Sequence, residues 1–384
     1  MGGETPAWRA TRIRFSPELI GLEVIATGSR YAEGEFHVVY ELFDLGTTDV
    51  RVSPLCLGTM MFGAMGNTDH DECVSMVHRA IDAGINFVDT ADAYSMGESE
   101  QVVGRALAGR RDDVVLATKA FIPMSADPNH MGGSRRWLMR AVEDSLRRLD
   151  TDHIDLFQLH RRDARLDLDE SLGALDQLVR DGKILYAGMS ATPAEWIVEA
   201  RHISDQRGHV RVRSEQCLYN LFNRDVERAV LPTCERLGVG VMTYAPLNGG
   251  WLTGKYRHGQ DIPDDARAVR MAAHNTARWD RSRAQTQTKL DLVERLLELS
   301  TEAGMPLTHL ATAWTAEHPA VSSVIIGPRT PEQLEDALAS AVVRLDDGVL
   351  DALDEMLMPG LDIDTVDTNR PEPHMAPHAR RRRR

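Results

Sequence analysis

The chain has 384 residues, of which 42% are apolar and 27% charged, an ordinary composition for a folded globular protein. Acidic residues outnumber basic ones by 58 to 44, although the basic total includes an arginine run at 380–384. Proteins that bind the nucleic acid backbone need a basic face, so this acidic body argues against a nucleic-acid partner. No apolar run has the ~18 residues of a membrane span, so we expect no membrane partner either.

The cysteines and the metal-ligating residue types exclude two further classes of protein. The four cysteines are Cys56, Cys73, Cys217 and Cys234. Their wide spacing predicts reduced thiols in a cytoplasmic compartment rather than a disulfide framework. His70, Asp71 and Glu72 have no further ligand at a suitable spacing, so no metal site is expected.

The main structural signal is an alternation of short apolar runs with segments of helical period, which starts at Tyr40 and is typical of βα units. Residues 1–39 lack such periodicity and are predicted to be a disordered extension. Eight runs have strand length: 52–59, 85–90, 114–119, 154–160, 184–190, 212–217, 239–245 and 323–327.

Eight strands, each followed by a helix, predict a (β/α)8 TIM barrel over residues 40–360. A doubly wound open sheet is the alternative, but it would want a glycine-rich GxGxxG turn, which the sequence lacks. The stretch 40–54, with Gly46 at its turn, is predicted to be a hairpin that closes the barrel floor. The polar stretch 259–289 is predicted to be a long loop after the seventh strand.

Helix start signals support this division of the chain. Asp69 and Ser134 are predicted helix N-caps, and Ser134 opens a helix over Arg135–Leu149 whose apolar residues recur every three or four positions. Residues 361–384, which contain prolines and the arginine run, are predicted to be a disordered tail.

Polar residues stand at the predicted strand ends, where a barrel places its chemistry. They are Asp89, Lys119, His160, Ser190, Gln216 and Tyr244, and Tyr94 follows Asp89 on the next loop. A lysine ammonium beside a tyrosine favours the phenolate and lowers the phenol pKa toward the working range, while an aspartate holds the lysine in place. A neutral histidine could then bind a substrate carbonyl that receives its proton from the tyrosine. This combination predicts carbonyl reduction.

Several motifs resemble those of the aldo-keto reductases. They are INFVDTADAY at 85–94 followed by GESE at 97–100, LATK at 116–119, SLRRL at 145–149, DLFQLH at 155–160, and Gln216 with Tyr219 and Asn220. The resemblance runs from about Tyr40 to about Leu357. It implies the barrel fold and a catalytic tetrad of Asp89, Tyr94, Lys119 and His160.

The same resemblance implies a binding site for a nicotinamide dinucleotide. Ser190 and Gln216 would hold the carboxamide, Tyr244 would stack on the ring, and Ala191 stands where the family usually has Asn. The loop residues Leu247, Gly250, Leu252 and Lys255 would cover the pyrophosphate. Further contacts are expected from Gly58, Thr59, Met60, Asp89, Ala245, Ile326, Gly327, Arg329, Gln333 and Asp336.

NADPH is the expected cofactor and NADH is the alternative. The fork of Arg329 matches the oxygens of a 2'-phosphate. Gly327 and Gln333 replace basic residues that some branches of the family use there, and Ala337 replaces a common Asn.

Two function classes follow. The first is a reductase of a small aldehyde or ketone, or of a keto sugar linked to a nucleotide. The second is a regulatory module that resembles the channel-associated β-subunits, in which the nucleotide reports redox state to a partner. The predicted substrate-facing residues are Met61, Phe62, Phe121, Trp137 and Asn248. We expect a small-molecule carbonyl substrate and a monomer or homo-oligomer.

Overall fold

The computed structural model describes residues 40–162, 167–264, 266–270 and 276–368. The predicted extension at 1–39 and the arginine run at 380–384 lie outside these residues. The strands are β1 (Phe43–Asp44), β2 (Arg51–Val52), β3 (Leu55–Gly58), β4 (Phe87–Asp89), β5 (Val115–Ala120), β6 (Ile154–Leu159), β7 (Ile184–Ser190), β8 (Val212–Leu218), β9 (Gly240–Tyr244) and β10 (Val321–Ile326). The α-helices are α1 (His70–Asp82), α2 (Glu98–Leu107), α3 (Arg135–Leu149), α4 (Leu168–Arg180), α5 (Ala194–Arg207), α6 (Val230–Leu237), α7 (Arg267–Arg270), α8 (Ala284–Glu302), α9 (Leu307–Glu317), α10 (Pro331–Ser340) and α11 (Asp347–Met356).

Strands β3 to β10 form a closed parallel barrel in which β10 pairs with both β9 and β3. This confirms the predicted (β/α)8 TIM barrel. Seven of the eight predicted strands agree with the observed ones to within two residues at each end. Because all the strands are parallel, their carboxyl ends open on one face of the barrel.

The prediction of a single strand at 52–59 was wrong. The structure divides it into β2 and β3, which are separated by Ser53 and Pro54. Proline has no N–H to donate to a strand ladder. Ser53 instead donates its hydroxyl to the carbonyl oxygen of Leu55 at 2.6 Å and its backbone N–H to Asn86 at 2.7 Å.

The predicted hairpin is confirmed, since β1 and β2 are antiparallel and cover the amino-terminal end of the barrel. Leu45 at its turn is buried against barrel residues that include Phe87 and Met242. The next residue, Gly46, has a φ of +61°, and a Cβ there would lie 2.5 Å from the carbonyl oxygen of Gly238. Only glycine therefore fits where the hairpin meets the barrel.

Both predicted helix caps are present. Asp69 accepts hydrogen bonds from the backbone N–H groups of Asp71 and Glu72, at 3.1 and 3.0 Å. Ser134 accepts one from the N–H of Trp137 at 3.3 Å, and α3 has the predicted bounds. These side chains satisfy backbone donors that the first helical turn leaves without partners.

The long loop after β9 ends earlier than predicted. Helix α8 begins at Ala284, inside the stretch 259–289. Its first two turns are polar in sequence, yet Thr286 and Lys289 are fully buried. Polar residues can form the inner face of a helix when they have buried partners, which is why composition alone placed this turn in a loop.

The chain after α11 supplies the buried partner of Lys289, so the predicted barrel boundary at residue 360 falls too early. Lys289 Nζ lies 2.6 Å from an oxygen of Asp367, and Arg283 donates two hydrogen bonds to Asp364, at 2.7 and 3.0 Å. Both aspartate side chains are almost completely buried. We call residues 361–368 the C-terminal strap, since they tie the chain end to α8 and to the loop after β9.

Removal of the strap is expected to destabilise the barrel. A chain that ends at Gly360 lacks Asp364 and Asp367 and leaves Lys289 buried without a carboxylate. Loss of one side of a buried ion pair typically costs about 3–5 kcal/mol. Urea unfolding should therefore give a lower midpoint for this chain than for one that ends at Thr368. Equal midpoints would show that the strap contributes nothing to stability.

Candidate active site

Four ionisable side chains meet at the carboxyl end of the barrel. Asp89 is the last residue of β4, Lys119 lies near the end of β5, and His160 follows β6 directly. Tyr94 comes from the loop after β4. The structure thus brings together all four residues that the sequence predicted to be catalytic.

Lys119 and Asp89 form a buried ion pair. Nζ of Lys119 lies 2.5 Å from Oδ2 of Asp89, and both side chains are at least 98% buried. The ammonium also donates to the carbonyl oxygen of Thr90 at 2.8 Å. Such a pair is tolerated inside a protein only when further hydrogen bonds satisfy both groups.

Two glutamines satisfy the other oxygen of Asp89. Gln216 and Gln158 donate their amide N–H groups to Oδ1, at 2.9 and 3.1 Å. No role for Gln158 was predicted from the sequence. Its position two residues before His160 places both side chains on the same face of β6, and that alternation is the signal that could have identified it.

The Tyr94 ring lies between Lys119 and His160. The Lys119 ammonium is 5.0 Å from the centroid of the tyrosine ring. The histidine ring meets the tyrosine edge-on, with ring centroids 5.8 Å apart. The loop turns sharply after Tyr94 because Ser95 and Met96 both have a positive φ, of 49° and 56°.

Burial sets the protonation of the phenol. It raises the pKa of Tyr94, and the charge of Lys119 lowers that pKa without reversing the shift. The sequence-based expectation of a lowered pKa was therefore wrong for the protein without a ligand. Burial also lowers the pKa of Lys119, but Asp89 and Tyr94 outweigh it and the net shift is upward. At neutral pH the site holds a protonated phenol beside a charged ammonium.

His160 is a neutral imidazole at physiological pH. Burial holds its pKa well below the usual value, and the charges of Lys119 and Arg161 act in the same direction. Within the described part of the chain, Nδ1 of His160 has no hydrogen-bond partner. A neutral ring of this kind can form a hydrogen bond with a bound oxygen.

The residues predicted to surround a nicotinamide lie beside this tetrad. Gly58 is the register partner of Asp89, and the N–H of Thr59 donates to the carbonyl oxygen of Asp89 at 3.0 Å. Ser190 donates its hydroxyl to the backbone carbonyl of Gln216 at 3.1 Å. Met60 follows Thr59 and is partly buried.

Ala191 follows β7, and the predicted contacts Gln216 and Tyr244 lie on β8 and β9. Ala191 has a φ of +54°, a conformation that Asn adopts more readily than Ala. Gln216 directs its amide nitrogen to Asp89 rather than into the open part of the site. Tyr244 is partly buried at the end of β9, where it pairs in register with Ile325 of β10.

The loop predicted to cover the pyrophosphate closes tightly on itself. Gly250 has a φ of +101°, and a Cβ there would lie 3.0 Å from Cε of Lys255. The glycine therefore lets the lysine side chain lie along the loop. Ala245 also has a positive φ, of 58°, and Leu252 is fully buried while Leu247 is partly buried.

The predicted adenosine-binding residues follow β10. Gln333 accepts a hydrogen bond from the backbone N–H of Arg329 at 2.9 Å and so fixes the turn after Gly327. Ile326 is buried at the strand end. Asp336 pairs with His309 of α9 at 3.0 Å, so its carboxylate is engaged with the neighbouring helix.

A cluster of arginines in the loop after β9 was missed. Burial and the nearby charges of Arg278 and Arg270 lower the pKa of Arg267 to about 10. Arg278 also donates to Asn248 at 3.0 Å, on the loop that carries Lys255. Arg278 is also paired with buried Asp367 at 3.0 Å. The guanidinium of Arg267, beside Arg278 and Arg270, suits a phosphate-bearing ligand, so the residues of this loop fit the expected dinucleotide. The signal was three arginines within twelve residues of the stretch assigned as a polar loop.

The predicted substrate-facing residues are divided by the structure. Phe121 lines a cleft at the strand ends, and Met61 is nearly buried. Phe62 lies fully in the core, Trp137 stacks on His130, and Asn248 donates to Asn223 at 2.6 Å. The expectation that Phe62 and Asn248 line a pocket was wrong, because neither exposes its side chain.

Clusters of metal ligands and membrane-spanning helices are both absent from the residues that the structure describes. No group of three or more metal-ligating side chains is arranged to hold an ion. No helix within the same residues is long and apolar enough to cross a membrane.

Comparison with known proteins gives one consistent result. The model of the aldo/keto reductase family matches residues 54–358. An uncharacterized oxidoreductase of Bacillus subtilis is 37% identical, over 82% of this chain and 95% of its own. A probable voltage-gated potassium channel subunit beta of Oryza sativa is 36% identical, over 79% and 92%. L-glyceraldehyde 3-phosphate reductase of Escherichia coli K12 is 31% identical, over 81% and 89%.

One buried acid beside the site has no obvious partner. Asp92, two residues before Tyr94, is 1% exposed, and neither carboxyl oxygen accepts a hydrogen bond of normal geometry from the described residues. Burial raises its pKa to about 8, and the charge of buried Glu100 acts in the same direction. Glu100 itself is paired with Arg148 at 2.6 Å.

Asp92 should make stability fall as pH rises. Between its unfolded pKa of 3.8 and its folded pKa of about 8, the native state holds a proton that the unfolded state releases. The unfolding free energy therefore decreases with pH across this window. In Asp92→Asn that component is absent, so the melting temperature of the variant relative to wild type should increase from about pH 5 to about pH 8.

The matched control for this prediction is Asp351→Asn, which removes an exposed carboxylate from α11. Its melting temperature relative to wild type should be the same at both pH values. A difference between Asp92→Asn and wild type that does not change with pH would show that Asp92 is ionised in the folded protein.

Proposed function

Because the chain belongs to the aldo/keto reductase family, whose members carry out NAD(P)H-dependent carbonyl reduction, we propose that Tyr94, Lys119, Asp89 and His160 catalyse the reduction of an aldehyde or ketone to an alcohol. The observation that carries this proposal is the protonated phenol of Tyr94 beside the buried Lys119–Asp89 pair. A site built this way can give up a proton and hold the negative charge that remains.

Each residue has a distinct part in the proposed reaction. When bound, the reduced nicotinamide supplies the hydride. Neutral His160 donates a hydrogen bond to the carbonyl oxygen and orients it. Tyr94 transfers its proton to that oxygen as the negative charge develops. Lys119 then stabilises the phenolate, and Asp89 keeps the lysine charged and in place.

We further propose NADPH as the cofactor, with NADH as the alternative. Lys255 and Arg267 lie on the loop after β9 and would hold the pyrophosphate, while Arg329 would hold the 2'-phosphate. Ser190 and Gln216 would hold the carboxamide, for which Gln216 uses its side-chain oxygen while its nitrogen stays on Asp89.

The relatives suggest two substrate settings. One is L-glyceraldehyde 3-phosphate reductase, which supports a small aldehyde as substrate. Others are probable potassium channel β-subunits, which support the second candidate, a nucleotide-binding module that reports redox state to a partner. Rapid turnover of free aldehydes favours the first candidate, and tight cofactor binding with negligible turnover favours the second.

We propose a cytoplasmic monomer or homo-oligomer, consistent with four buried free cysteines.

The central test is Tyr94→Phe. The variant should bind NADPH normally, since the ring is kept, but should lose roughly 10²- to 10⁴-fold in kcat, because general acid catalysis typically contributes that much. Absorbance of NADPH with a panel of aldehydes and ketones measures the rate. The matched control is Tyr186→Phe, which removes a hydroxyl near the barrel floor. Wild-type turnover in Tyr94→Phe would remove Tyr94 from the mechanism.

Cofactor choice is tested by Arg329→Ala. Hydrogen bonds to a charged group contribute about 1.5–3 kcal/mol, so the variant should bind NADPH ~10- to 100-fold more weakly. NADH binding should change little, because NADH lacks the 2'-phosphate. Fluorescence titration of both nucleotides measures the two constants, with exposed Arg344→Ala as the control. Equal losses for NADPH and NADH would assign Arg329 a structural role in its turn.

A further inference from the structure

A cleft with two arginines opens where β5, β6 and β7 end. Most of its wall is apolar: Phe121 follows β5, Leu159 and Met189 come from β6 and β7, and Leu168 and Trp196 come from α4 and α5. Arg161 and Arg162 follow the catalytic His160 directly in sequence. The cleft therefore lies at the carboxyl ends of these strands, between them and helices α4 and α5.

Arg161 is partly buried and is held close to the site by its own backbone. Its Nη1 donates to the carbonyl oxygen of His160 at 3.0 Å. The lining residues in the described part of the chain include no carboxylate. Arg162 instead stacks on Trp196, with its guanidinium carbon 5.6 Å from the ring centroid.

The charge of Arg161 reaches the reacting groups. Burial is the main cause of the low pKa of His160, and Lys119 and Arg161 lower it further. Arg161 also opposes, more weakly than Lys119, the rise in the pKa of Tyr94 that burial causes. The charge of Arg161 therefore acts on both His160 and Tyr94, although Arg161 has no part in the proton transfer proposed above.

Building on the proposed reductase function, we propose that Arg161 binds an anionic group, a carboxylate or a phosphate, on the carbonyl substrate, and thereby selects anionic over neutral aldehydes. A guanidinium in a largely apolar cleft loses hydration and gains most from an anion that pairs with it. Its planar fork matches the oxygens of either group. The apolar wall then contacts the carbon chain between the anion and the carbonyl.

The experiment compares matched pairs of aldehydes. For the carboxylate arm the pair is 4-carboxybenzaldehyde and its neutral isostere 4-carbamoylbenzaldehyde. For the phosphate arm the pair is glyceraldehyde 3-phosphate and glyceraldehyde. The measured quantity is the ratio of kcat/KM for the anionic substrate to that for the neutral one, in wild type, Arg161→Gln, Arg161→Lys and Arg180→Gln. Arg180→Gln is the charge-matched control, since Arg180 is exposed at the end of α4 and pairs with Asp176.

Wild type should favour the anionic member of at least one pair, and the favoured pair identifies the anion. In Arg161→Gln the ratio should fall about 10- to 100-fold, mainly through a higher KM for the anionic substrate, because a charge-assisted hydrogen bond is lost. Arg161→Lys should keep part of the preference, and Arg180→Gln should keep all of it. Equal losses for both substrates in Arg161→Gln would overturn the proposal, because they would show that Arg161 only supports the His160 backbone.

A binding measurement separates this proposal from the reductase function. Calorimetry with 4-carboxybenzyl alcohol and 4-carbamoylbenzyl alcohol, in the presence of NADP⁺, reports anion selectivity without turnover. Selectivity that depends on Arg161, in a protein that reduces none of the aldehydes, would overturn the reductase function and support the anion site. Turnover without any preference for the anion would overturn the anion site and support the reductase function.

Discussion

The ion pair between Lys119 and Asp89 is the interaction on which the rest of the site depends. Both charges are buried inside the barrel, where they are stable only if their remaining hydrogen-bonding groups are satisfied. The partners are the carbonyl of Thr90 and the amides of Gln158 and Gln216, so neighbouring and distant strands all contribute. The parallel barrel supplies this arrangement because every strand ends at the same face. The site is therefore complete only when the barrel is closed.

The sequence predicted the parts of the fold that follow local rules. Strand-length apolar runs located seven strands closely, and Ser134 with its amphipathic stretch gave α3 its bounds. Apart from the strand break at Ser53 and Pro54, the failures occurred where a partner distant in sequence decided the outcome. Lys289 is hidden in a helix because Asp367, 78 residues later, neutralises it. No local pattern at 284–289 indicates that pairing, so the helix start and the C-terminal strap were both missed.

In the candidate site, too, features that follow local rules were predicted from the sequence, and features that depend on distant partners were not. The spacing of motifs located the tetrad, because the carboxyl ends of parallel strands meet in space. Gln158 received no role because a glutamine on a strand is uninformative until the position of Asp89 is known. The predicted direction of the pKa shift at Tyr94 was also wrong, because burial raises this pKa more than the charge of Lys119 lowers it. The sequence shows neither how deeply the phenol is buried nor how far it lies from the ammonium. A raised pKa still suits the proposed role, because a general acid must carry its proton before it can donate it.

The overall negative charge of the protein and the arginines at the carboxyl end of the barrel act on anions over different distances. The formal net charge of −14 makes the surface as a whole repel anions. At physiological ionic strength that repulsion is screened beyond about 8 Å. A ligand at the carboxyl end of the barrel therefore interacts mainly with the charged side chains close to it. Arg267 lies on the loop after β9, and Arg161 follows His160 at the end of β6. A dinucleotide and an anionic substrate would use different members of this set, so their charges need not compete. The prediction that the protein does not bind nucleic acid is therefore compatible with a site selective for small anions, because a polyanion would have to approach the acidic surface as a whole.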